Sequence, residues 1–193
     1  MARSSNVVRI IGGEHKRRQL KVLDRPGLRP TPDRVRETLF NWLAPVLPGA
    51  RVLDLFAGSG ALGLESLSRG AGWCDLVEKD GAAARLLKAN LEQLRLLERA
   101  RVHHQDAQLF LRQPPSRPYD VVFLDPPYAS DLLEKALAII GGAGWLAPDA
   151  RTYVERPARL APPMVPAGWE LLRQGVAGEV GYYLYCFSPC KER

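Results

Sequence analysis

Asp125-Pro126-Pro127-Tyr128 gathers an acceptor carboxylate, two residues without a backbone N–H and an aromatic ring into four positions. The two prolines stop the preceding chain from continuing as a strand and rigidify the turn, which fixes where the flanking Asp and Tyr point. Immediately before them, Tyr119-Asp120-Val121-Val122-Phe123-Leu124 is a short apolar run that reads as a buried strand. In open parallel sheets ligands bind at the carboxyl ends of strands. The ligand best matched to acceptors plus a ring is a flat group carrying an amino group, such as a nucleobase. Taken alone, the tetrapeptide is also compatible with a plain proline turn capped by surface side chains.

A second stretch suggests the cofactor. Leu53-Asp54-Leu55-Phe56-Ala57-Gly58-Ser59-Gly60-Ala61-Leu62-Gly63 runs from a predicted strand through a glycine turn into a predicted helix. Glycines let a backbone approach a ligand closely, and a helix N-terminus offers unpaired N–H groups. The glycines satisfy G-x-G-x-x-G, and Glu78 closes the next strand about 20 residues on, so the motif alone permits a nicotinamide dinucleotide. Nothing in the chain suggests a hydride site. Asp54, just before the glycines, would repel a pyrophosphate and welcome the ammonium of a methionine moiety. Glu78 is placed to accept both ribose hydroxyls, and Asp106, after the third strand, could accept from an adenine amine. Ala57 and Ala107 adjoin these positions. Each carboxylate, taken singly, is also an ordinary polar residue at a strand end. As a set with the tetrapeptide they indicate S-adenosylmethionine and methyl transfer to a planar nitrogen.

The elements that must position these groups follow from apolar patterning. Strands are predicted at Val52–Phe56, Cys74–Val77, Arg101–His104, Val121–Leu124 and Thr152–Glu155, alternating with helices at Ala61–Ser68, Ala82–Leu96, Ala107–Leu111 and Leu132–Ile140. That alternation implies a mostly parallel sheet with helices on both faces. After a proline-rich connection, Glu170–Val176 and Val180–Phe187 form a terminal antiparallel pair. Upstream, Val7–Ile11 and Gln19–Val22 read as a small hairpin, with Glu14-His15-Lys16-Arg17-Arg18 projecting as its loop. Thr31, Pro32 and Asp33 then start a helix whose apolar face is Val35, Leu39, Trp42 and Leu43.

Charge is concentrated in that upstream piece. The whole chain is +6 over 193 residues, yet residues 1–36 hold ten Lys/Arg against Glu14, Asp24 and Asp33, so they carry +7 and the rest −1. A neutral body with a basic arm suggests a polyanionic partner. Lys16, Arg17, Arg18, Arg29, Arg34 and Arg36 are the candidate contacts. Arg34 and Arg36 fall near a helix start, where positive charge is disfavoured by roughly 0.3–1 kcal/mol, a placement that hints at an anion. No apolar run approaches the roughly 20 residues that span a bilayer. Three cysteines and three histidines, scattered, give no metal-ligand spacing and fit a reducing cytoplasm.

Strand, Asp54, glycine turn, Glu78, Asp106 and Asp-Pro-Pro-Tyr together resemble the plan of class I S-adenosylmethionine-dependent methyltransferases. Arg9-Ile10-Ile11-Gly12-Gly13, the run from Leu28 to Leu43, Asp54–Glu65 and Gly144-Trp145-Leu146 resemble the bacterial 16S ribosomal RNA guanine-N2 methyltransferases that modify guanine 966. The resemblance covers nearly the whole chain. One departure is Arg17, where the family usually has a glycine between two basic residues. It implies a Rossmann-like domain over 31–193 with a basic extension over 1–30 that docks RNA. It further implies a monomer acting on the small ribosomal subunit. In such a site Asp125 and the Pro126 carbonyl would accept the amino hydrogens and Tyr128 would stack on an unstacked base. Methylation of adenine N6 would use a similar site, so the choice of guanine rests on the resemblance. A non-catalytic RNA-binding protein on this fold is the alternative from another class.

Overall fold

A computed structural model describes residues 7–23, 32–127, 131–142 and 144–188. Tyr128, Arg29 and Thr31 lie outside the described residues. Strands β1 (Val7–Arg9) and β2 (Gln19–Lys21) form a hairpin. Strand and helix then alternate: α1 (Asp33–Leu43), β3 (Arg51–Asp54), α2 (Ala61–Ser68), β4 (Trp73–Glu78), α3 (Gly81–Leu94), β5 (Ala100–His104), α4 (Ala107–Phe110), β6 (Tyr119–Leu124), α5 (Leu132–Ile140) and β7 (Leu146–Pro157). β8 (Trp169–Ala177) and β9 (Val180–Phe187) complete the order.

The large sheet runs β5-β4-β3-β6-β7-β9-β8. Its first five strands are parallel, and β9 is antiparallel to both β7 and β8. The chain moves outward from β3 to β5, then returns to lay β6 on the other side of β3. That reversal opens a crevice beyond the carboxyl ends of β3 and β6, where Asp54 and Asp125 stand. The expected mostly parallel α/β sheet with an antiparallel end is therefore what the chain forms.

Two apolar layers hold the sheet. One face packs Leu39, Phe40 and Leu43 of α1, Leu64 and Leu67 of α2, and Leu87 and Leu91 of α3 against Val52, Leu76, Val121 and Phe123. The other packs Leu133, Leu137 and Ile140 of α5 against Val77, Val122, Leu124 and Val154. Asp80 caps α3, its Oδ1 accepting from the N–H groups of Ala82 and Ala83 at 3.0 and 2.9 Å.

Two elements depart from expectation. Pro32 sits at the N-cap of α1, one residue before the first helical position. β7 is three times the length of the predicted Thr152–Glu155 strand, because Leu146 pairs with Tyr119 before a register shift brings Arg151 opposite Val121. Asp149, next to Pro148, adopts a left-handed φ of 61° inside that shift.

The hairpin is bolted to α2. Ile10 and Leu20 are buried in the α1–α3 layer. Glu65, 0 % exposed, accepts from the N–H groups of Ile11 and Gly12 at 2.8 Å each and from Arg69 Nε at 2.6 Å. The Ser68 hydroxyl donates to the Gly12 carbonyl at 2.6 Å and accepts from the His15 N–H at 3.0 Å. Burial on both sides, by sheet and hairpin, explains why every residue of α2 is buried.

Arg36 is corrected by this packing. It is 1 % exposed, and its Nη2 donates to the Arg9 carbonyl at 3.0 Å and to Asp33 Oδ1 at 2.6 Å. Its Nη1 lies 3.9 Å from Glu65 Oε2. The guanidinium answers protein acceptors beneath the arm and is not available to a phosphate. Arg17 has φ 72°, and its N–H donates to the Ile10 carbonyl at 2.9 Å. This left-handed conformation suits glycine, which accounts for the glycine of the resembling family at this position.

Candidate active site

The glycine turn is built between two carboxylates. Asp54 ends β3, is 3 % exposed, and its Oδ2 accepts from the Gly63 N–H at 3.0 Å. Gly58 and Gly60 take φ values of 49° and 77°, which let the chain turn sharply from β3 into α2. The turn closes as the Gly60 N–H donates to the Ala57 carbonyl at 2.7 Å. Glu78, at the end of β4, accepts from the Gly58 N–H through Oε2 at 2.9 Å and from the Asp80 N–H through Oε1 at 2.7 Å. It thus ties the glycine turn to the cap of α3. Each of its oxygens keeps a second lone pair for an outside donor.

Asp106 caps α4 by accepting from the Gln108 N–H at 2.8 Å and is exposed beside buried Ala107. This donor-accepting set fits S-adenosylmethionine: a buried carboxylate for an ammonium, a fixed carboxylate for a diol, and a glycine turn a backbone can share with a ligand.

β6 and β7 supply the other half. Register partners on neighbouring strands share a face, so Asp54, Phe123 and Tyr153 form one row across β3, β6 and β7. Two residues further along, on the same face, come Asp125 and Glu155. They stand one position beyond the last β6–β7 pair, Leu124 with Val154, on strands about 4.8 Å apart. Glu155 is 2 % exposed and accepts from the Tyr153 hydroxyl at 2.8 Å. Burial, then the charges of Glu155 and Asp54, push the Asp125 carboxyl well above the usual carboxylate range. Pro126 is buried beside it.

Glu155 went unnoticed in the sequence, where it was simply the last residue of a predicted strand. Only the register of β6 against β7, which no local pattern encodes, aligns it with Asp125. Among the described residues no group of three or more His, Cys, Asp or Glu is placed to hold a metal ion.

Asp54 carries a measurable cost. Burial, partly offset by the Gly63 N–H and aggravated by the charge of Glu78, raises its carboxyl to about 7 from 3.8. The folded protein therefore keeps this proton where the unfolded chain has lost it. Its contribution to stability is full below about pH 4 and is lost as pH rises through about 7. Asp54→Asn should accordingly be more stable than wild type at pH 8, by at least about 1 kcal/mol, and no more stable at pH 4. Denaturant unfolding at the two pH values measures this; an equal offset at both would contradict it.

The basic candidates do not join this site. Lys16, Arg17 and Arg18 are exposed on the hairpin turn, whose neighbour Glu14 donates its N–H to the Ser68 carbonyl at 2.8 Å. That is the C-terminal end of α2, eight residues and about 12 Å from the glycine turn. Arg34 is exposed at the start of α1.

Residues 8–186 match the family model described as conserved hypothetical protein 95. Ribosomal RNA small subunit methyltransferase D of Escherichia coli K12 is 51% identical over 181 residues, 94% of this chain and 90% of that protein. Its namesake in Haemophilus influenzae is 47% identical over 180 residues, covering 92% and 93%. The solved structure of the Escherichia coli protein yhhF superposes with a TM-score of 0.88 at 48% identity, covering 94% of this chain and 98% of that one.

Proposed function

The chain belongs to the conserved hypothetical protein 95 family, alongside the ribosomal RNA small subunit methyltransferase D proteins, and we propose that it methylates small-subunit ribosomal RNA at a guanine N2, that of guanine 966, using S-adenosylmethionine. The observation that carries this reading is the convergence of Asp54, the glycine turn, Glu78 and Asp125 at the switch between β3 and β6.

When bound, S-adenosylmethionine supplies an electrophilic methyl on a sulfonium leaving group. Asp54 receives the cofactor's ammonium and Glu78 its ribose hydroxyls, while Asp106 and Ala107 border the adenine. The guanine N2 lone pair is delocalised into its ring and is a poor nucleophile. Asp125 and the Pro126 carbonyl accept the two amino hydrogens, which lets the nitrogen pyramidalise and aim its lone pair. Tyr128 stacks on the extruded base. Positioning and a fixed acceptor field carry the catalysis, with no covalent enzyme intermediate. All of these residues come from one chain, so a monomer suffices. No helix among the described residues is long and apolar enough to cross a membrane. A ribosomal substrate supports a cytoplasmic location.

RNA docking falls to the arm, through Lys16, Arg17, Arg18, Arg29 and Arg34. Replacing Lys16, Arg17 and Arg18 by Ala leaves the site about 12 Å away intact. The triple variant should bind S-adenosylmethionine normally and RNA more weakly, with a log–log salt slope shallower by about two to three units. Unchanged RNA affinity and slope would move the docking surface to the body.

The activity itself is tested with labelled S-adenosylmethionine, purified protein and unmodified small-subunit RNA, free or in subunits. Label should appear on RNA in at least one form; no label on either form would defeat the reading.

A further inference from the structure

We propose that Glu155 is a positioning residue for the reaction's proton: in the ligand-free protein Asp125 and Glu155 together retain one proton, and the positive charge of S-adenosylmethionine expels it. The inference rests on the methyltransferase reading and adds a residue and a linkage to it.

The sheet forces the two carboxylates together. Leu124 pairs with Val154, so Asp125 and Glu155 are the next pair on neighbouring parallel strands, on the face that carries Asp54, Phe123 and Tyr153 one row below. Glu155 is 2 % exposed, and Phe123 and Tyr153 beneath the pair are fully buried aromatic residues. Two carboxylates this close, Glu155 buried and Asp125 half-buried, do not both ionise near neutral pH, because each charge raises the other's proton affinity. The charges acting on Asp125 are those of Glu155 from β7 and Asp54 from β3, and both are negative. Around them stand Tyr153 and Tyr182, from β7 and β9, with Cys74 and Glu78 from β4 facing Asp54. The Tyr153 hydroxyl donates to Glu155 at 2.8 Å, which favours its ionised form and leaves the proton to Asp125.

A cation arriving in this field removes the reason for holding the proton, which leaves to solvent. The vacated Asp125 carboxylate can then accept hydrogen bonds from the guanine amine only once the cofactor is in place. Methyl transfer breaks the S–C bond, leaves its electron pair on sulfur and forms the N2–C bond. The proton that N2 gives up passes to Asp125, which restores the one-proton pair as the charge on sulfur disappears. Glu155 touches neither reactant; it sets when Asp125 is free to act.

The linkage is read by calorimetry of cofactor binding at pH 7 in buffers of different ionisation enthalpy, which reports protons released without requiring turnover. S-adenosylmethionine should release more protons than S-adenosylhomocysteine, which lacks the sulfonium charge. Glu155→Gln should at least halve that difference, since a lone Asp125 loses its proton at lower pH. Tyr153→Phe should act oppositely and move the release to higher pH, because Glu155 loses the donor that stabilises its charge. Equal release for the two ligands, or a difference unaltered in both variants, would overturn the inference while leaving the methyltransferase reading standing. Absence of any binding of S-adenosylmethionine to the wild-type protein would overturn that reading and the inference with it.

Discussion

Asp125→Ala is expected to bind S-adenosylmethionine with nearly wild-type affinity and to transfer methyl at least about a hundredfold more slowly, the size of effect typical of one lost electrostatic contact in a transition state. Asp125 lies at the end of β6, across the β3/β6 crevice from the glycine turn proposed to cradle the cofactor. In the proposed mechanism its loss removes the acceptor that lets the amino nitrogen pyramidalise, while Asp54 and Glu78 keep their hydrogen bonds to Gly63, Gly58 and Asp80. Asp125→Asn separates geometry from proton acceptance, since the amide keeps one acceptor oxygen but takes no proton. Single-turnover transfer rates and calorimetric affinities should therefore diverge in these variants. A defect confined to cofactor affinity would reassign Asp125 to the cofactor pocket.

Glu78→Ala is expected to weaken S-adenosylmethionine binding by tenfold or more without unfolding the domain. A hydrogen bond to a charged acceptor contributes about 1.5–3 kcal/mol, and the ribose diol loses up to two. The same carboxylate also holds the Gly58 and Asp80 N–H groups, so its removal loosens the turn it faces. Glu78→Gln keeps one acceptor oxygen and should fall between wild type and Ala. Calorimetry decides it, and unchanged affinity in the Ala variant would refute the assignment.

Much of this architecture was readable from the chain because its signals are local. α2 and α5 begin and end where their apolar periodicity and flanking glycine and aspartate place them. The glycine turn and the proline turn announce themselves by residue type, and both fall at strand ends on the same edge of the sheet. What escaped depends on distant pairings. β7 is longer than the expected Thr152–Glu155 strand because its first residue, Leu146, pairs with Tyr119 of β6 across a register shift that holds Pro148 and Asp149. Glu155 acquires its place only from that register. Arg36 was counted with the basic surface because charge patterning does not distinguish a guanidinium facing solvent from one facing Asp33, Glu65 and a backbone carbonyl. The loop Glu14–Arg18 was expected to project; Lys16, Arg17 and Arg18 are exposed, whereas His15 is half-buried and Glu14 and His15 are tied by their N–H groups to Ser68. The loop's position at the far end of α2 from the glycine turn follows from Glu65 and Ser68, two helix residues that look unremarkable in sequence.

That separation has a consequence for substrate size. An RNA that fills the site and also meets Lys16, Arg17 and Arg18 must extend well beyond the target nucleotide, so the arm triple variant should be felt on a long structured substrate and not on a short one.

The identity of the modified nucleoside tests the central claim most directly. Small-subunit RNA lacking its methyl groups, free and in assembled subunits, is incubated with the protein and S-adenosylmethionine, digested to nucleosides and separated. N2-methylguanosine is expected from a single position, guanine 966, and should form at least about a hundredfold more slowly with Asp125→Ala than with the wild-type protein. N6-methyladenosine in its place, or N2-methylguanosine formed equally well by Asp125→Ala, would contradict that claim.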